Sequence, residues 1–146
     1  MKMSVMGARL PLWQKRLVTG AVALAWLSGL GLFLVKTFGA SNGEFGFQRH
    51  GLESPLRAVH GAVVMAVLVA VGSVLAAHVR AGWDTGLRRR SAFFTVAAVL
   101  VLAGTGWGLY YLSHEQARNW VGWIHAGAGL GLAPLFWIHS RRRDPF

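Results

Sequence analysis

The sequence predicts an all-α protein, an integral membrane four-helix bundle of up-down topology with both termini in the cytoplasm. Three observations lead there. Four long apolar runs, residues 12–38, 56–79, 91–112 and 119–139, each approach or exceed the ~20 residues that an α-helix needs to cross ~30 Å of hydrocarbon. Charged residues are scarce, 14% against 54% hydrophobic, and they gather between the runs. Their signs are also unevenly divided. Lys2, Arg9, Lys15 and Arg16, then Arg80, Arg88, Arg89 and Arg90, then Arg141, Arg142 and Arg143 fall on one side of a four-span arrangement. The other side receives only Lys36, Arg49, Arg57 and Arg118, with Glu44, Glu53 and Glu115. Such a bias places the basic side in the cytoplasm.

Each element has its own justification. The first run opens on basic residues, as a signal peptide does, but its apolar stretch Leu17–Val35 exceeds the 7–15 residues of a signal-peptide core, which predicts a retained helix. The stretch "FGASNGEFGFQRHGLESP" (38–55) is rich in Gly, Ser and Asn and reads as an outward loop. Pro55 suits the first turn of the second helix. "RAGWDTGLRRR" (80–90) is a cytoplasmic turn with a basic stop. "LSHEQAR" (112–118) is short enough to make the last two helices antiparallel neighbours. Pro134 frees the carbonyl of Leu130 and predicts a bend in the fourth helix. The 146 residues form one domain, in which Trp-Ile-His recurs at 123–125 and 137–139.

Composition excludes several classes. The net charge of +10 sits where anionic lipid headgroups lie, which argues against nucleic acid. With no cysteine, the chain has no disulfide, no thiolate-held iron–sulfur cluster and no C-x-x-C-H haem attachment. No nucleophile constellation or dinucleotide motif is present, so no catalytic residue is assigned.

Four of the six histidines lie in apolar runs, His60 and His78 on the second, His125 and His139 on the fourth. Ionisable groups within a membrane are rare and usually functional. Eighteen residues separate the first pair, five full turns and ~27 Å at helical rise. Fourteen separate the second, within ~40° of four turns and ~21 Å. Each pair therefore shares one face of its helix, with a member near each membrane surface. The two helices run in the same direction. Measured from Arg80 and Arg141, His78 and His139 are level; measured from Arg57 and Arg118, His60 and His125 are offset by four residues, ~6 Å.

Imidazoles facing one another at two depths are what two bis-histidine haems b require, because neutral imidazole nitrogen suits iron. The expected pairs are His60 with His125 outside and His78 with His139 inside. Zinc is the weaker candidate, since the pairs are too far apart to share one ion. Arg57, Arg118, Arg80 and Arg141 lie within a turn or two of the ligands and are candidates to bind haem propionates. Trp123 and Trp137 are candidates to pack on the macrocycles or to serve as interface anchors. His50 and His114 read as loop residues; His114, beside Tyr110 and Tyr111, is also the alternative outer ligand and a candidate quinone-site residue.

With these residues in place the chain resembles the bacterial four-helix membrane cytochromes b, including the cytochrome subunits of formate dehydrogenases and nickel–iron hydrogenases. The residues carrying the resemblance are His125 and His139, "RAVHG" (57–61), and "RRRSAFF…GTGWGLYYLSHEQAR" before the last helix. The resemblance implies that His125 and His139 each ligate one haem. Several relatives draw a ligand from the first helix; here the first run has no histidine, so the second must supply both partners. A smaller cytochrome domain linked to flavinylated extracytoplasmic proteins is similar in outline. The implied setting is the bacterial inner membrane. The implied role is electron transfer between an extracytoplasmic redox subunit, cytochrome or flavoprotein and a quinone or cytoplasmic partner. The competing readings are a stand-alone quinone-reactive cytochrome and a cofactor-free scaffold or assembly protein.

Overall fold

A computed structural model describes residues 11–39, 41–43, 46–74 and 89–141, with backbone alone at 42–43, 46–47, 89, 91–92 and 139–141. It contains four long helices: α1 Leu12–Phe38, α2 Glu53–Val74, α3 Arg89–Tyr111 and α4 Glu115–Arg141. All four are long and apolar enough to cross a membrane.

Helix ends follow local chemistry more closely than hydropathy does. Helix α2 starts three residues before the apolar run, because Glu53 N–H donates to His50 O (2.9 Å) and Pro55 is tolerated in the first turn. Helix α4 starts four residues early, at Glu115, with an acidic residue complementing the amino-terminal end of the helix dipole. His114 caps it: its Nδ1 accepts from Ala117 N–H at 3.3 Å, and its carbonyl accepts from Arg118 N–H at 3.0 Å. Helix α4 runs unbroken through Pro134. Between α1 and α2, where the sequence reads as a plain loop, Ser41–Gly43 (β1) and Gly46–Gln48 (β2) pair antiparallel, Ser41 opposite Gln48. Short paired strands satisfy backbone groups that a loop would leave to water.

The helices pack as two antiparallel hairpins, α1–α2 and α3–α4, joined along an α1–α4 seam. That seam shows in the edge-to-face pair Phe33–Trp123, ring centres 6.1 Å apart. At the other end of α1, Val18 and Val22 pack with Val67, Ala70 and Val74 of α2, and Leu132 and Phe136 of α4 close over them. These contacts make α2 and α4 parallel, so α1 begins and α4 ends at the same end of the bundle. The core is thin. Large apolar side chains such as Leu24, Val69, Leu100 and Trp107 point outward, as they do where the surroundings are hydrocarbon and burial in protein brings no further hydrophobic gain.

Candidate functional site

The site lies at the end of the bundle opposite the valine cluster and is built from one side chain of each helix. His60 stands on α2 and His125 on α4. Their rings approach to 6.3 Å between centres, with planes 86° apart. The backbones of α2 and α4 make no extensive approach of their own, so the imidazoles reach into the space between these helices. The expected offset of four residues does not keep the rings apart. His125 is ten residues from the start of its helix and His60 seven.

Each ring is held from the neighbouring helix of its own hairpin. Ser28 Oγ of α1 lies 2.9 Å from His60 Nδ1, and Thr105 Oγ1 of α3 lies 2.9 Å from His125 Nδ1. The next residue is glycine in both cases, and there the ring presses on the backbone. A Cβ at Gly29 would stand 2.9 Å from His60 Cε1; one at Gly106 would stand 3.4 Å from His125 Cε1. A hydroxyl to orient the ring and a missing side chain to admit it are what an inward-facing ligand requires at close helix separation. Among the described residues, neither Nε2 forms a hydrogen bond.

The two clasps are copies of one pattern. Ser28–Phe33 reads SGLGLF and Tyr110 closes the matching TGWGLY at 105–110. The aromatic ending each copy reaches the opposite hairpin: Phe33 packs on Trp123, two residues before His125, and the Tyr110 hydroxyl lies 3.3 Å from where a Cβ on Gly61 would be, next to His60. The two hairpins thus repeat one local arrangement, a hydroxyl and a glycine on the first helix set against a histidine on the second. This signal was present in the sequence as a hydroxyl residue, two spaced glycines, leucine and an aromatic, seventy-seven positions apart.

The remaining candidates divide. Arg57 Nη2 is bonded to Glu53 Oε1, and Arg49 Nη1 stands 3.9 Å from the same oxygen. Glu53 is buried, 7% exposed, so Arg57 is engaged within its own helix. Arg118 is exposed in the first turn of α4. His50 Nδ1 accepts from Leu52 N–H at 3.2 Å, and His114 Nδ1 serves the α4 cap; both rings are exposed and belong to helix starts. Trp123 and Trp137 are exposed, 57% and 56%. His139 keeps its place on α4, with its side chain outside the described residues, as is that of Arg141. His78 and Arg80 lie outside them altogether.

No protein-family model, curated protein or solved structure matches the chain. The site must therefore be read from its own chemistry. Two imidazoles at this spacing can pack edge to face as ordinary aromatic rings. They can also serve as two nitrogen donors to one centre. Among the described residues no group of three His, Asp or Glu gathers into a cage, so any bound metal would draw its remaining ligands from elsewhere.

Proposed function

We propose that the chain is a di-haem b-type membrane cytochrome, with His60 and His125 as the axial pair of the outer haem. The spacing of these rings carries the proposal. Two imidazoles bound through nitrogen to one metal, with about 2 Å per bond and about 1 Å from nitrogen to ring centre, put their ring centres about 6 Å apart. His60 and His125 stand at 6.3 Å. A porphyrin would bring its own ring nitrogens to the iron, and the chain would hold it through His60 and His125. With both axial positions filled by imidazole, such a group exchanges single electrons and leaves no open coordination site.

The chain's own residues do the rest. Ser28 and Thr105 orient the rings, Gly29 and Gly106 make room for them, and Phe33 with Trp123 closes the α1–α4 side against water. The inner pair is His78 with His139, on the same helical faces by periodicity. Arg118 outside and Arg80 and Arg141 inside are the proposed propionate partners; Arg57 is a weaker candidate while Glu53 holds it. The charge asymmetry puts the termini in the cytoplasm and the outer pair toward the opposite surface of the inner membrane. Electrons would pass between an extracytoplasmic redox subunit, cytochrome or flavoprotein on that side and a quinone or cytoplasmic acceptor.

Reduced-minus-oxidised spectra of the purified protein test the assignment. A sharp b-type α-band that loses about half its amplitude in His60→Ala and in His125→Ala is expected. An unchanged band in both variants would remove these residues from the site, and a colourless wild type from haem-sufficient cells would favour a scaffold.

A further inference from the structure

Ser28 and Thr105 do more than sit near the rings, because each hydroxyl also has a carbonyl of its own helix within reach. A hydroxyl has one proton to donate. Ser28 Oγ donates it to the carbonyl of Ala25, at 3.1 Å. Thr105 Oγ1 donates to the carbonyl of Val101, at 2.6 Å, with Leu102 O at 3.3 Å. With their protons turned to those carbonyls, as is common for helical Ser and Thr, both oxygens accept from the histidines. In that arrangement each Nδ1, 2.9 Å away, carries the proton, and each Nε2 keeps its lone pair. Two such rings cannot hydrogen-bond to one another, since both Nε2 atoms are acceptors.

We propose that Ser28 and Thr105 are positioning residues that select the Nδ1–H tautomer of His60 and His125 and raise the donor strength of their Nε2 atoms. The consequence for a bound iron porphyrin rests on the haem reading above. An imidazole whose N–H is held by an acceptor is the more basic ligand, and a more basic ligand favours the ferric over the ferrous state. The outer haem is therefore held at a lower potential than unsupported histidines would give. Two further features of the molecule agree. The clasp occurs twice, as SGLGLF and TGWGLY, once for each ligand. The glycine following each hydroxyl leaves room for the ring, with a Cβ at Gly29 standing 2.9 Å from His60 Cε1 and one at Gly106 3.4 Å from His125 Cε1.

The test has two arms. In ¹⁵N-histidine-labelled full-length protein kept free of haem, both rings should show a protonated Nδ1 and a bare Nε2. Ser28→Ala and Thr105→Ala should each move one ring toward the other tautomer, and Ser28→Thr and Thr105→Ser should restore it. In the haem-loaded protein the alanine variants should raise the outer midpoint potential and weaken haem retention by 10- to 100-fold. A tenfold difference between ferric and ferrous binding reads as about 59 mV for one electron. The hydroxyl-retaining variants should keep the wild-type potential. Unchanged tautomers in both alanine variants would overturn the positioning role whether or not haem binds. Correct tautomers with an unmoved potential would overturn the tuning role. A wild type that takes up no haem would instead sink the cytochrome reading, and the tautomer arm would still decide what the hydroxyls do.

Discussion

His60 and His125 meet ring to ring at 6.3 Å, although the helices that carry them make little backbone contact. Such a meeting at low helix contact is costly without a reason, since two polar rings are turned toward one another instead of toward water or headgroups. If they are axial ligands, haem content should fall from two to about one per chain in His60→Ala and in His125→Ala. His139→Ala should leave the outer haem in place. Haem-to-protein ratios measured on the three variants check this; loss of both haems in every variant would show that the sites are not independent.

Glycine spacing yields a graded prediction. Adding a methyl at Gly29 brings it to 2.9 Å from His60 Cε1, where something must move; at Gly106 the approach is 3.4 Å. Overpacking of this kind costs about 1–3 kcal/mol. Gly29→Ala should therefore disturb the outer haem spectrum and lower the unfolding temperature more than Gly106→Ala does. Equal effects, or the reverse order, would contradict the clasp geometry.

The outer loop histidines should be separable from the ligands. His114 caps α4 through Nδ1, so His114→Ala should cost about 0.5–2 kcal/mol in helix stability and leave the haem spectrum unchanged. Loss of half the haem in this variant would restore His114 as an outer ligand.

Glu53 is buried beside two half-exposed arginines. Replacing it with glutamine removes a charge-assisted bond of about 1.5–3 kcal/mol, reduced to about 1 kcal/mol by solvent screening around the arginines. Glu53→Gln should destabilise by that amount at low salt and by less at high salt. It should also free Arg57. A loss that salt does not touch would mean that packing, not charge, keeps Glu53 inside.

How far the sequence anticipated this arrangement depends on which force sets each feature. Hydropathy located the four helices because length and apolarity alone satisfy the bilayer constraint, and α1 falls at 12–38 as expected. It misplaced the starts of α2 and α4, where polar residues at Glu53 and Glu115 form the first turns through caps that hydropathy ignores. Helical periodicity and the arginines point to an offset between His60 and His125, which the rings nonetheless bridge. The Ser28 and Thr105 clasps escaped notice because each hydroxyl sits in the helix before its histidine, 32 and 20 positions away. Only the packing of each hairpin brings them together. The hairpin β1–β2 looks like loop in the sequence, since three-residue strands leave almost no alternation to detect.

The central claim is that this bundle grips iron porphyrin between paired imidazoles. Haem stoichiometry combined with the spin state of the oxidised protein measures it most directly. The account predicts two low-spin, six-coordinate haems b per chain in wild type. Fewer than one haem per chain, or a high-spin centre with an open axial position at the His60–His125 level, would contradict it.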